Sequence, residues 1–255
     1  MYRERAVAGI RGAVAWHSAA AGGTPARVLP DGCLDLLWSS RVGLLVAGPD
    51  RTAHLSVSVP GERWVGLRLP PGVGPAVFGV PADELRDRRI PLVELWGRAG
   101  VELADRVDAV PAVVPASAAA THTEPLDPGP GHATAVAAVL EAVAVARLRA
   151  GGGPDPLGAR VAARLAAGAT VAATAAEVGL GARALHRRSQ LLFGYGPKTL
   201  ARILRMRRAL DLARAGTPLA EVAALAGYAD QAHLTREVTG LAGVPPTRLL
   251  PMDPT

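Results

Sequence analysis

The last hundred residues carry one pattern twice, and few folds accommodate it. In TPLAEVAALAGYADQAHLTREVTGLAG (217–243), Thr217 can cap a helix that has Pro218 at its first position. Leu219, Val222 and Ala223 then form an apolar face, and Gly227 ends the helix in a tight turn. Asp230 can cap a second helix in which Leu234 and Val238, four residues apart, pack inward. Gln231, His233, Arg236 and Glu237 are left facing outward. The same pattern stands earlier, in TVAATAAEVGLGARALHRRSQLLFGYGP (170–197). There Thr170 caps, Val171 and Ala175 face inward, and Gly179 turns. The helix 182–192 puts Leu185 and Leu192 inside and Arg183, His186, Arg187 and Arg188 outside. A short capped helix, a glycine turn and a polar-faced second helix describe a helix-turn-helix. In that motif the second helix enters the major groove of DNA.

Between the units lies KTLARILRMRRALDLARAG (198–216), with Leu200, Ile203, Leu204, Leu210 and Leu212 on its buried sides and Arg202, Arg205, Arg207 and Arg208 outside. One straight helix of this length can hold two recognition helices a DNA turn apart, which reading successive major grooves requires. The charge distribution agrees. Residues 157–250 hold thirteen Arg and Lys against five Asp and Glu, whereas residues 1–156 hold fifteen against sixteen. A basic module attached to a neutral one fits a nucleic-acid-binding domain with a partner domain.

The C-terminal part is expected to be helical throughout, over about 157–167, 171–178, 182–192, 197–215, 219–226 and 230–239, with a short turn after Pro245. The N-terminal part differs. PDGCLDLLWSS (30–40), RVGLLVAGPD (41–50), HLSVSVPG (54–61) and RWVGLRLPPG (63–72) alternate or run apolar between turn signals and predict strands. That spacing suggests a small β-sandwich or barrel. Residues 81–87 and 101–112 predict short helices, 90–100 a short helix or turn, 121–131 a loop, and 132–153 a long helix closed by glycines. GGGPDP (151–156) is the linker candidate, at the change of charge balance.

The tandem resembles the C-terminal domain of AraC/XylS-type transcriptional regulators. The resemblance covers roughly 157–250 and rests on LAGYADQAHLTRE (225–237), GVPPTRL (243–249), RALHRR (183–188) and FGYGPKTLARILRMRRAL (193–210). It implies base readers at Arg183, His186 and Arg187 in the first unit, and at Ala232, His233 and Arg236 in the second, with Gln231 beside them. Arginine reads guanine edges, and Ala232 can only meet a thymine methyl. Lys198, Arg202 and Thr217 are the candidates for phosphate contact, which positions without specifying. Gly181, Ser189 and Val238 depart from the family's usual Ser cap, aromatic residue and Phe.

LPDGCLDLLW (29–38), VAGPD (46–50), VGLRLPPG (65–72) and FGVPADELRDRRIPLVELWG (78–97) resemble the N-terminal domain of uncharacterised actinobacterial AraC-like regulators. The resemblance implies a cupin-like β-fold with a helical extension, and no particular ligand. The expected fold class is therefore α+β. It comprises a small cupin-like barrel with helices (1–110), a helical extension and linker (111–156), and an all-α domain of two helix-turn-helix units joined by a long helix (157–250).

Asp35, Trp38 and Arg68 are the candidates for an effector pocket, since strand-borne polar and aromatic groups commonly fix ligands. Trp64 and Trp96 suit the core equally well. His17, His54, His122 and His132 form no close His-x-His pair, so no metal or other cofactor is expected. The single cysteine, Cys33, excludes an internal disulfide and a thiolate zinc site, and buried cysteine is the default over a redox sensor. MYRERAVAGI lacks the apolar run of a signal peptide, and the apolar stretch at Ala133–Ala146 is broken by Glu141. A cytoplasmic chain that is not an enzyme and not membrane-bound follows as the expectation.

Its expected partner is double-stranded DNA, with a small-molecule effector, RNA polymerase and a second copy of the chain as further candidates. Control would come from a small molecule or from dimerisation through the N-terminal domain. Two alternatives compete. One is a small-molecule-modifying cupin-like enzyme with an autoregulatory DNA-binding domain, which needs a catalytic constellation that the residues do not offer. The other is a basic architectural protein, which needs charge but not paired recognition helices.

Overall fold

A computed structural model of the chain describes residues 2–22, 25–111 and 129–250. Its N-terminal half contains strands β1 (Tyr2–Ala6), β2 (Val14–Ala19), β3 (Ala26–Val28), β4 (Leu34–Ser39), β5 (Gly43–Ala47), β6 (His54–Ser56), β7 (Arg63–Leu69) and β8 (Arg89–Pro91). Six of them form one antiparallel sheet in the order β1-β2-β7-β4-β5-β8, and β3 and β6 pair separately as a two-stranded ribbon. The helices here are α1 (Gly74–Phe78), α2 (Ala82–Leu85), α3 (Leu92–Trp96), α4 (Arg98–Asp108) and α5 (Gly129–Ala150).

The sheet is open. β1 and β8 are its two edges, and no closed barrel forms among the described residues, which corrects the expected cupin-like barrel. The α+β class stands. Strand alternation is the same in a barrel and an open sheet, so periodicity could not separate them. Helices cover the apolar face in place of closure. Leu34, Leu36 and Trp38 of β4, Leu44 and Val46 of β5, and Val65, Leu67 and Leu69 of β7 share one core with Leu103 and Val107 of α4 and with Val136, Leu140 and Ala144 of α5.

The four expected strands are β4, β5, β6 and β7; β1, β2, β3 and β8 are additions. The helices expected at 81–87 and 101–112 correspond to α2 and α4, the helix or turn expected at 90–100 corresponds to α3, and α1 was unforeseen. The long helix starts at Gly129, not 132, and ends at Ala150. The loop expected over 121–131 lies outside the described residues up to 128, and His122 with it.

The C-terminal half consists of α6 (Pro156–Ala166), α7 (Val171–Glu177), α8 (Ala182–Phe193), α9 (Pro197–Arg214), α10 (Leu219–Ala226), α11 (Gln231–Ala242) and a 3-10 turn at Pro246–Arg248. These are the helices the sequence predicts, with α11 running on to Ala242 before Gly243 turns at φ +74. Leu185, Leu192 and Phe193 of α8, Ile203 and Met206 of α9, Val222 of α10, and Leu234 and Val238 of α11 pack in a second core.

The halves touch through backbone, arginine and half-buried Leu29, which packs against the second core. Gly72, after β7, lies so close to Gly158 of α6 that a Cβ on it would fall 2.9 Å from the Gly158 Cα. Arg86, just past α2, donates through Nη1 to the Gly194 carbonyl at 2.9 Å. On the far side, the Ala53 amide donates to the Leu241 carbonyl at 2.7 Å, and Arg27 Nη1 donates to the Ala242 carbonyl at 2.8 Å.

Candidate nucleic-acid interface and ligand cavity

The first unit is α7 and α8. Thr170 caps α7, its Oγ1 accepting from the Ala173 amide at 3.1 Å. Gly179 turns at φ +69, and Gly181 starts α8 with no side-chain cap. Leu185, Ser189, Leu192 and Phe193 anchor α8 inward. Arg183, His186 and Arg187 are exposed on its outer side. His186 leans back over the chain after α8, because a Cβ on Gly196 would come within 2.5 Å of its ring. Arg188 pairs with Asp155, the residue that also caps α6 through the Leu157 amide at 2.8 Å.

The second unit is α10 and α11. Thr217 does not cap α10, contrary to expectation. Pro218 sits at the cap position with extended ψ of 141 and the helix starts at Leu219, so the Thr217 hydroxyl falls one residue too early. Gly227 makes the turn in the left-handed region at φ +79. Asp230 caps α11, accepting from the His233 amide at 2.6 Å. Gln231, Ala232 and Arg236 are exposed. His233 is half-buried; its Nδ1 accepts from the Ala229 amide at 3.3 Å and its ring meets Tyr228 edge-on at 5.3 Å.

Glu237, expected outside, turns toward α9. It accepts from Arg205 Nη2 at 2.6 Å and Nε at 3.1 Å and from Arg202 Nε at 3.4 Å, with His233 Nε2 3.9 Å away. Arg205 also stacks over Tyr228 at 4.5 Å and donates to the Gly227 carbonyl at 3.3 Å. Burial and Glu237 push the Tyr228 hydroxyl up to about 12, so it stays protonated. Arg202 is thus held by Glu237, Thr217 is half-buried, and Lys198 is exposed on the first turn of α9. Among the described residues, Arg183, Arg187 and Arg236 have no hydrogen bond or ion pair, which leaves their guanidiniums free for a ligand.

The second feature is a cavity of about 270 Å³ on the sheet face opposite the helices. Alternation along the strands builds it. Trp16 and Ser18 come from β2, Asp35 and Leu37 from β4, Leu45 and Ala47 from β5, and Trp64 and Arg68 from β7. The β3–β6 ribbon closes one side with Ala26, Val28, His54 and Ser56. Trp16 lies flat over its register partner Gly66, where a Cβ would come within 2.3 Å of the indole. Its Nε1 donates to Asp35 Oδ1 at 3.2 Å.

Arg68 Nε lies 3.4 Å from Asp31 and 3.5 Å from Asp35, and it is buried without a hydrogen bond to either. Arg89 makes two bonds to Asp50, at 2.7 and 2.6 Å. Desolvation pushes Asp35 up to about 6, against the pull of Arg68. Desolvation, with Asp31 and Asp35 alongside, pushes the Cys33 thiol well above its ordinary range, so it is not a reactive thiolate.

Two of the three expected pocket residues, Asp35 and Arg68, meet here. Trp38 faces the other side, edge-on to His132 at 5.7 Å in the helix-covered core. Sequence reasoning passed over Trp16, and it gave no preference to Trp64. Their two-residue alternation with core residues was visible, but nothing marked which face the helices would cover. Among the described residues, no cluster of three or more His, Cys, Asp or Glu could hold a metal. None of the described helices is long and apolar enough to cross a membrane.

Residues 174–251 match the family model of a helix-turn-helix domain, and residues 13–91 match a domain of unknown function, DUF6597. No curated protein sequence is significantly similar to the chain. Among solved structures, a probable AraC family transcriptional regulator from Rhodopseudomonas palustris is 22% identical, covering 38% of this chain and 100% of its own, at a TM-score of 0.33. ToxT from Vibrio cholerae is 7% identical, covering 93% of this chain and 95% of its own, at a TM-score of 0.46. Its form bound to an unsaturated fatty acid is 9% identical, covering 93% of each chain, at a TM-score of 0.44.

Proposed function

We propose that this chain, which carries a helix-turn-helix domain over residues 174–251, is an AraC/XylS-type transcriptional regulator that binds double-stranded DNA sequence-specifically. One observation carries the reading. Two helix-turn-helix units stand on a shared helix, α9, and each presents free guanidinium groups on its second helix: Arg183 and Arg187 on α8, and Arg236 on α11. Those groups read base edges, Gln231 and Ala232 flank them, and Lys198 meets phosphate. Arg202 acts at one remove, by holding α11 against α9 through Glu237, and His233 lies half-buried on α11 beside that pair.

The N-terminal half serves as the control domain, and a small molecule in the sheet cavity is its input. The support is a short physical path. The β3–β6 ribbon that walls the cavity also leads to α11: Arg27 of β3 and Ala53, just before β6, bond the Ala242 and Leu241 carbonyls at its C-terminal end. A ligand that shifts the ribbon shifts the seat of the second recognition helix, and so the population competent for DNA. RNA polymerase is the further partner of this reading.

The test is selection of genomic fragments by the purified chain at near-physiological salt, followed by sequencing. The expected product is one motif spanning two adjacent major grooves. Arg183→Ala and Arg236→Ala should each relax preference in a different half, by about 1–3 kcal/mol of base discrimination. Uniform retention of fragments, with affinity set by salt alone, would replace this reading with the architectural one.

A further inference from the structure

The walls of the sheet cavity select a chemical class. Three carboxylates line it, Asp31, Asp35 and Asp50, against two guanidiniums, Arg68 and Arg89. Arg89 and Asp50 saturate one another through two short bonds. Asp31 and Asp35 are left to share Arg68, which reaches both only at 3.4–3.5 Å. Above the Asp35 pKa of about 6, the cavity therefore holds one negative charge in excess where solvent screens it poorly. His54 does not offset it, because burial and Arg89 lower its pKa and keep it neutral. A ligand carboxylate would compete with two resident carboxylates for one arginine. A ligand cation would neutralise the excess instead.

The remaining wall suits such a cation. Trp16 and Trp64 stand on the neighbouring strands β2 and β7, and Tyr2 lies against Trp16 with ring centroids 5.8 Å apart. Aromatic faces attract ammonium groups and bury apolar rings. Trp16 also bonds Asp35, so aromatic wall and acid form one assembly. The volume of about 270 Å³ lies at the small end for ligand sites and admits one or two rings.

Resting on the effector reading above, we propose that this cavity binds a small aromatic ammonium ion, its ring against Trp16 and Trp64 and its charge beside Asp35. The excess carboxylate supplies the charge selection, and the indoles supply shape and cation–π attraction.

The experiment titrates the full chain with 2-phenylethylammonium, 3-phenylpropanoate and 3-phenylpropanamide, followed by tryptophan fluorescence and by the shift in unfolding temperature. The ammonium ion should bind about tenfold or more tightly than either isostere. Asp35→Asn and Trp64→Leu should each weaken it by about tenfold. DNA binding by the same samples shows that the variants are folded. Equal or tighter binding of the carboxylate, no saturable binding of the ammonium ion, or undiminished binding in a DNA-competent Asp35→Asn chain would each overturn the proposal. A chain that selects a DNA motif but shows no ammonium preference refutes this ligand class alone. A chain that prefers the ammonium ion but selects no DNA refutes the regulator reading alone.

Discussion

The two helix-turn-helix units share a plan but hold their recognition helices by different physics. In the first, α8 starts uncapped at Gly181, and its inner face is apolar except for Ser189, whose buried hydroxyl finds no partner. Among the described residues, α8 forms an ion pair only at its edge, Arg188 with Asp155, while Glu177 of α7 pairs with Arg164 of α6 at 2.7 Å. In the second, α11 is capped by Asp230 and tied to α9 by Glu237 and two arginines, Arg202 and Arg205. α8 is thus seated mainly by apolar packing, and α11 partly by charge. One motif can be stabilised by either means, because the motif fixes backbone path and leaves the linkage between helices open.

The sharpest test concerns what the units have in common. Leu185 and Leu234 are both essentially buried, at 0% and 1% exposure. Leu185→Ala and Leu234→Ala should each cost about 3 kcal/mol in chemical denaturation. A much smaller loss at Leu234 would mean that the charged network alone seats α11. Next comes the contrast itself. Glu237→Ala strands Arg205 beside Tyr228 and should cost about 2 kcal/mol, discounted because both arginines are partly solvated. No single charge removal in α8 should match it.

Smaller effects follow at the caps and at the misfit. Asp230→Ala should cost about 1 kcal/mol by the same assay. Ser189→Ala removes an unsatisfied buried hydroxyl at little loss of volume, and should raise stability by about 0.5–1 kcal/mol. Gly181→Ser supplies the missing cap and should gain a few tenths of a kcal/mol, roughly the Gly-to-Ser difference at such a position. If Gly181→Ser gained as much as Asp230→Ala loses, the two helix starts would be equivalent after all.

Legibility in the sequence followed the range of the interactions. The C-terminal helices could be read because periodicity and caps such as Thr170 and Asp230 act within one or two turns. Thr217 misled because proline fits either the cap position or the first helical turn, and residues beyond it decide which. Glu237 was unreadable as an inward residue because its partners, Arg202 and Arg205, lie on another helix. The strands β4 to β7 were visible; β1 and β2 were passed over although Gly9, Gly12 and the Gly-Gly-Thr-Pro run at 22–25 flank them. Whether the sheet closes depends on its two edges, which lie at opposite ends of the domain's sequence. Asp35 and Arg68 stood out as charges in apolar strands; Trp38 differed from Trp16 and Trp64 only in the face it took.

The N-terminal half grips the trailing end of each recognition helix: Arg86 holds Gly194 behind α8, while Arg27 and Ala53 hold the end of α11. On the proposed reading, two points fixed from behind act like dividers with a locked joint, and the setting of the joint becomes a measure of length along the DNA. Tolerance to spacing is then governed by residues that never approach the DNA. An operator lengthened by one base pair between its halves should be rejected by the intact chain and better accepted when Arg27→Ala and Arg86→Ala loosen the joint, with competition binding to the two operators as the measurement.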